Sequence, residues 1–452
     1  MTNTDHERTH TSGKTVELRN RTRVQLMLPT QLHEQTGTIT NTVSMNLSAG
    51  GLFITMDNPP VPGKSFRIEI FSLRGVAILS GTVEVQWRVS EASATLPCGF
   101  GARFIQVELK DEKIIHTVVQ SAIHQDSLPA HVRNLSNPAS TVNEMTGIQN
   151  ISLSGELKKF ISEYGKHGER DEFIWKWVYR GLQITSLSCI DTSLKEQVQT
   201  IKFLGVMFDV MLDDAVDQIQ NKVLVEQMLL ISFEKSFLQR KKVPSHYLEY
   251  LEFANLLWEE IEMRFRKLPR YSEFIDLLEF DYRQLFNCMR YALVVNEDPR
   301  RLNLAEHDLY QPHNMHMMVN ATIDIMASGG FNRQEAGILR EVIWNAQVMG
   351  RIGNAISTWQ RELKDRDFTS KIFARALAGG ALTTNDLLTE KPEKIEQILL
   401  DSQLEDELLA EWGNRHTYIS GLATRIKTVD ITGLISGLEK LIILHLGSRG
   451  LK

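Results

Sequence analysis

The hydrophobic period of this chain changes once, and that change constrains its fold more than any other feature. Up to about residue 115, apolar side chains alternate with polar ones in short segments. From Glu156 onward they recur every three or four positions. Alternation puts neighbouring side chains on opposite faces of a strand, while a period near 3.6 marks a helix with one buried stripe. Two periods in separate blocks imply a small all-β unit followed by an all-α unit, and 452 residues are enough for two or three cores.

The β block divides into Arg23 to Leu28, Gly37 to Met45, Gly51 to Met56, Ser65 to Phe71, Gly75 to Trp87 and Gly99 to Val107, each rich in Val, Ile, Phe and Thr. Asn58-Pro59-Pro60, Pro62-Gly63 and Pro97-Cys98-Gly99 supply turns between them. Short strands so punctuated predict a small barrel or sandwich. Arg19 and Arg23, with Arg21 between, stand just before the first strand. Guanidinium groups pair bidentately with phosphate and stack on base planes. Asn46 and Ser48 then precede Gly50-Gly51, a turn that offers short polar groups and close backbone approach.

Taken in order, R-x-x-x-R (Arg19, Arg23), N-x-S-x-x-G (Asn46, Ser48, Gly51) and the closing Gly99-Phe100-Gly101-Ala102-Arg103-Phe104 resemble a PilZ domain over roughly residues 15–115. The resemblance implies a six-stranded barrel that binds the bacterial second messenger cyclic di-GMP. It assigns Arg19 and Arg23 to phosphates and guanine edges, and Asn46, Ser48 and Gly51 to the rest of the nucleotide site.

Residues 1–14 are polar and are expected to be disordered. The barrel with a trailing helix is expected over 15–124, a Ser-, Asn- and Pro-rich linker over 125–155, and the helical domain over 156–452. Candidate helices in that domain include Val223–Arg240, Asn332–Asp365 and one unbroken run over Leu404–Leu446.

Two rows of hard oxygen ligands lie within the helical pattern. Met211-Leu212-Asp213-Asp214-Ala215-Val216-Asp217 is a D-D-x-x-D box on the expected helix Leu194–Gln220. At about 100° per residue, Asp209, Asp213 and Asp217 share a stripe about 80° wide. Buried among apolar neighbours, such a cluster is costly without compensating cations; on a solvated face it needs none. Asn354, Thr358 and Glu362 form the second row, spaced four apart over about 12 Å. An amide, a hydroxyl and a carboxylate suit Mg²⁺, which keeps waters and bridges to phosphate. Arg351 and Arg361 flank this row as candidates for a diphosphate, and the absence of His and Cys argues against zinc or a di-iron centre.

In this order, the two rows resemble a class I terpenoid synthase, whose D-D-x-x-D and N-D-x-x-S/T-x-x-K/R-E helices face each other across a helical barrel. The resemblance implies Mg²⁺-dependent ionisation of a prenyl diphosphate, a lyase reaction. Asp213 and Asp217, supported by Asp214, would bind metal, as would Asn354, Thr358 and Glu362, with Arg361 on the diphosphate. Phe203, Phe208, Trp344 and Trp359 are aromatic candidates near the two helices. The chain departs from that pattern at Ala355, in lacking an Arg-Tyr pair downstream beyond Arg415, Tyr418 and Arg425, and in placing His313, Asn314 and His316 where a diphosphate-sensing Arg is expected. The other function these residues allow is a cyclic di-GMP-responsive adaptor whose helical domain binds protein partners without chemistry.

Composition adds exclusions. A net charge of −6 gives no non-specific grip on nucleic acid. Cys98, Cys189 and Cys288 show no metal or disulfide spacing, and no apolar run reaches the roughly 18 residues of a membrane span. The N-terminus lacks the apolar stretch of a secretory signal, so a cytoplasmic protein is expected.

Overall fold

The computed structural model describes residues 24–34, 36–71, 77–92, 97–107, 111, 114, 115, 119 and 138–449. The chain divides into two compact units, residues 1–125 with 136–146 and residues 126–135 with 147–452.

In the first unit, β1 (Val24–His33), β2 (Ile39–Ser48), β3 (Gly51–Thr55), β4 (Ser65–Phe71), β5 (Ala77–Val89) and β6 (Gly99–Val107) close an antiparallel barrel in the order β1-β2-β3-β6-β5-β4. The sequence alternation sets its interior. Phe66, Ile68 and Ile70 on β4 point inward to meet Leu28, Leu32, Leu52, Val83 and Phe100. Each such side chain contributes about 1.5–3 kcal/mol on full burial.

β1 runs five residues beyond the expected Leu28, through Pro29. Pro29 pairs with Val43 of β2, and pairing with β4 begins only at Thr30, so the missing proline N–H costs no ladder bond on that side.

The remaining helices are α1 (Pro138–Gln149), α2 (Gly155–Tyr164), α3 (Glu172–Thr185), α4 (Lys195–Asp217), α5 (Lys222–Leu230), α6 (Leu248–Phe265), α7 (Tyr271–Glu297), α8 (Leu304–Tyr310), α9 (Met317–Met326), α10 (Ala336–Asp365), α11 (Lys371–Ala378), α12 (Thr384–Thr389), α13 (Pro392–Asp401), α14 (Leu404–Leu422) and α15 (Ile431–Gly447). Three differ from the sequence expectation. The stretch read as linker contains α1, which opens at Pro138 and buries Met145 and Ile148. The helix expected over Val223–Arg240 stops at Leu230, and short 3₁₀ turns follow. The single run over Leu404–Leu446 is two helices, because Asp430 caps α15 by accepting from the Gly433 amide.

α4 and α10 form the centre of the helical unit. α4 packs against α3, α6 and α7, and α10 against α9, α14 and α15. Apolar residues lie almost all round α4, with Phe203, Leu204, Met207, Phe208, Met211 and Leu212 fully buried, which explains its central place. Among the described residues, no helix is long and apolar enough to cross a membrane.

Candidate functional site

In the barrel, the β2–β3 turn is held by the residues singled out in the sequence. Asn46 Oδ1 accepts a hydrogen bond from the Phe53 amide at 3.1 Å, and Ser48 Oγ donates to the Gly51 carbonyl at 2.9 Å. Both side chains are buried. Gly51 lies opposite Arg103 of β6, and a Cβ at position 51 would collide with the Ala102 carbonyl, so only glycine fits there. β1 starts beside this turn, with Val24 paired to Leu47 and Gln25 to Asn46. Arg19 and Arg23 lie outside the described residues.

In the helical unit, a cavity of about 210 Å³ collects most of the other predicted residues. One water needs roughly 10–15 Å³ of such space, so the cavity admits a ligand of many atoms. Asp213 and Asp217 reach it from the last turns of α4, and Arg351, Asn354, Thr358, Arg361 and Glu362 from α10. Ile174, Trp177, Val178, Leu182, Val206 and Leu441 give it an apolar wall.

Asp214, expected to support the metal ligands Asp213 and Asp217, is not among the residues that line this cavity. Its carboxylate accepts from Tyr164 Oη at 2.5 Å and from Arg170 Nε and Nη2 at 3.0 and 2.8 Å. Adjacent helical positions point about 100° apart, so Asp213 and Asp214 serve different surroundings. Of the aromatic candidates, Phe203, Phe208 and Trp359 are core residues and Trp344 is half-buried; none lines the cavity. Phe203 packs on Trp175, Phe208 on Trp258 and Trp344 on His313, while Trp359 Nε1 donates to Glu405. Trp177 is the aromatic on the cavity wall. Arg415 and Tyr418 turn to Glu411 and Glu341.

Loops bring in further groups. Arg170, next to the Asp171 cap of α3, reaches within 3.6 Å of Asp213. Asn314 Nδ2 donates to Asp213 and Asn296 Nδ2 to Asp217, both at 3.1 Å. α10 ends at Arg366 in the left-handed conformation (φ 58°), and the Asp367 amide then bonds back to the Glu362 carbonyl at 2.9 Å. That turn delivers Asp367 beside Glu362. No periodic signal marks Arg170 or Asp367, because tertiary contacts rather than helix spacing bring them here.

The cavity is electrostatically lopsided. Asp209, Asp213, Asp217, Glu362, Asp365 and Asp367 face three arginines, of which Arg170 is already committed to Asp214. Burial, then the charges of Asp367, Asp213 and Glu362, push Asp217 well above the usual carboxylate range. Burial and Asp367 raise Glu362 likewise, and burial, with Asp213 adding to it, raises Asp367. Such an arrangement favours a cation.

The donor chemistry suits Mg²⁺, being hard oxygens throughout, and Glu362 Oε2 is buried without a hydrogen-bond partner. The site is nevertheless not closed up as a metal cage. Among the described residues no three His, Cys, Asp or Glu side chains are grouped to hold one ion. Asn354 Oδ1 accepts from Arg351 Nη1 at 2.7 Å, and Thr358 Oγ1 donates to Glu362 Oε1 at 2.7 Å. Arg351 also donates to Gln311 Oε1 and the Thr369 carbonyl, both at 3.1 Å.

Comparison with known proteins bears on the barrel. The PilZ domain family profile matches residues 17–121. Among solved structures, the chain is similar to the Bacillus subtilis inhibitor of motility MotI/DgrA at 18% identity, covering 24% of this chain and 50% of that one, with a TM-score of 0.20. The match therefore spans half the length of that chain. No curated protein matches.

Proposed function

We propose that this chain, whose N-terminal unit is a PilZ domain, is a cyclic di-GMP receptor that regulates a prenyl diphosphate-processing site in its helical unit. A PilZ domain implies cyclic di-GMP binding and signalling. Asn46, Ser48 and Gly51 shape the turn that receives the nucleotide, and Arg19 and Arg23 supply its cationic partners. Arg19→Ala or Arg23→Ala should abolish binding in calorimetry while the barrel stays folded; unchanged affinity in both rejects this assignment.

One observation carries the second half of the reading. Asp213 and Asp217 share a single cavity with Asn354, Thr358, Glu362, Arg351 and Arg361, beside an apolar wall. An acidic, arginine-flanked end fits a diphosphate with divalent cations, and the wall fits a hydrocarbon chain. Asp213 and Asp217 on one side, and Asn354, Thr358 and Glu362 on the other, would hold Mg²⁺. When bound, Mg²⁺ supplies charge neutralisation for a departing diphosphate. Arg361 and Arg351 bind diphosphate oxygens through guanidinium groups that each have a buried Nε without a partner. Trp177, Val178 and Leu182 exclude water from the hydrocarbon.

Titrating the protein with farnesyl diphosphate with and without Mg²⁺ tests this half. Binding should require Mg²⁺ and weaken at least tenfold in Asp213→Asn and in Glu362→Gln. The bond from Arg351 to Asn354 favours a second reading, in which the helical unit is a non-catalytic scaffold for a protein partner. Mg²⁺-independent behaviour of wild type and both variants would select it.

A further inference from the structure

Around Gly205 lies a polar cluster, formed by Tyr282, His316 and Asp209, that the diphosphate-binding groups do not use. Gly205 stands two turns before Asp213 on α4. A methyl group there would lie 3.0 Å from Tyr282 Oη, 3.2 Å from His316 Cε1 and 3.6 Å from His316 Nε2, the first two closer than ordinary contact, so glycine is what lets these two polar tips approach α4. Asp209, one turn further along the same face, is close enough for its charge to act on Tyr282. His316, Tyr282 and Asp209 are 1%, 0% and 5% exposed. His316 Nε2, Tyr282 Oη and Asp209 Oδ1 are each buried without a hydrogen-bond partner. The Tyr282 and His316 rings lie 5.4 Å apart, and their two unpartnered tips, with Asp209 on the next turn of α4, call for a polar occupant.

The ring of His316 is set for that occupant. Its backbone is left-handed (φ 59°), a conformation that a residue with a side chain keeps only where the surroundings impose it. Nδ1 lies 3.1 Å from Asn320 Oδ1, an acceptor, so Nδ1 carries the proton and Nε2 presents a lone pair. Burial lowers the imidazole to about 4, keeping it neutral, while burial and Asp213 hold Asp209 well above the usual carboxylate range. His316 and Asp209 line the cavity itself.

We propose that His316, Tyr282 and Asp209 hold one water molecule against the hydrocarbon part of the cavity, and that this water ends the reaction, giving an alcohol. The inference rests on the prenyl diphosphate reading above. The diphosphate leaves with the electron pair of its C–O bond. The water oxygen then bonds to the cationic carbon while one O–H proton passes to His316 Nε2, and the imidazolium returns that proton to solvent. Carbon, oxygen and charge balance without a further reactant.

The full chain is incubated with Mg²⁺ and geranyl, farnesyl or geranylgeranyl diphosphate in ¹⁸O-labelled water, with and without cyclic di-GMP, measuring diphosphate release and products separately. The expected product is a single alcohol regioisomer carrying ¹⁸O, since hydrolysis at phosphorus would retain the substrate oxygen. Gly205→Ala, whose methyl enters the cluster, should lower the alcohol-to-hydrocarbon ratio at least tenfold. Tyr282→Phe, which removes only the hydroxyl, should do the same. Diphosphate release with hydrocarbon or a mixture of alcohols, or a ratio unmoved by both variants, overturns the water site and leaves the diphosphate site standing. No release from any substrate overturns the diphosphate reading and this inference with it.

Discussion

Asp214→Asn should destabilise the helical unit strongly and Asp213→Asn hardly at all, although the two residues are neighbours. Asp214 is 2% exposed and takes three hydrogen bonds from Tyr164 and Arg170. Arg170 is itself 16% exposed at its side chain, so little solvent screens the pair. Removing one partner of a buried ion pair costs about 3–5 kcal/mol. Asp213, 3.6 Å away, remains as a weaker counter-charge for Arg170, which places the expected loss near the lower end, about 3 kcal/mol. Asp213 raises the pKa values of Asp209 and Asp217 by repulsion, so its amide relieves that repulsion while still accepting from Asn314. Its change should stay within about 0.5 kcal/mol. Every tryptophan except Trp87 lies in the helical sequence, so tryptophan fluorescence of the full chain follows this unit. Thermal melts are read at pH 8, because burial raises Asp214 and the pair must be ionised. The Asp214→Asn midpoint should fall by roughly 6 °C. Equal losses in the two variants, or a tolerated Asp214→Asn, would refute the division of this neighbouring pair into one structural and one cavity-facing carboxylate.

Asp217, Glu362 and Asp367 retain protons in the folded state that the unfolded chain has lost. Their contribution to stability therefore falls as pH rises from about 4, the ordinary carboxylate value, through their raised folded values. Urea melts between pH 5 and 8 should show a smaller decline in Asp217→Asn than in wild type, and parallel profiles would contradict the coupling. Asn46→Ala leaves the Phe53 amide without its acceptor, at a cost of about 1–3 kcal/mol. Hydrogen exchange at that amide should accelerate, and unchanged protection would reject the bond. Gly51→Ala should prevent barrel closure, since its Cβ has no space beside Ala102; a native β-sheet circular dichroism spectrum would show otherwise.

Much of the barrel was legible because alternation and turn residues act locally. Phe66, Ile68 and Ile70 declare their face through spacing alone, and Pro62-Gly63 marks the turn before them. The run of β1 past Leu28 was not legible, because whether Pro29 breaks a ladder depends on which neighbouring strand is present at that register, which spacing does not reveal. Periodicity likewise brought Asp213 and Asp217 onto one helix face and Asn354, Thr358 and Glu362 onto another, and both rows line one cavity. Asp214 was not separable from them, because its distinct role depends on Tyr164, fifty positions earlier, and on the Arg170 loop. Asp367 enters through a helix-terminating turn, and the polar cluster at Gly205 needs α7 and residue His316 packed against α4. Those features are tertiary in origin and leave no local pattern.

The most direct test of the central claim is the rate of diphosphate release from prenyl diphosphates with Mg²⁺, measured against cyclic di-GMP concentration. The expected result is a saturable change of severalfold, with a midpoint matching cyclic di-GMP affinity measured by calorimetry, and loss of that dependence in Arg23→Ala. A release rate indifferent to saturating cyclic di-GMP would contradict regulation by the barrel, and the absence of release under both conditions would contradict the helical site's proposed chemistry.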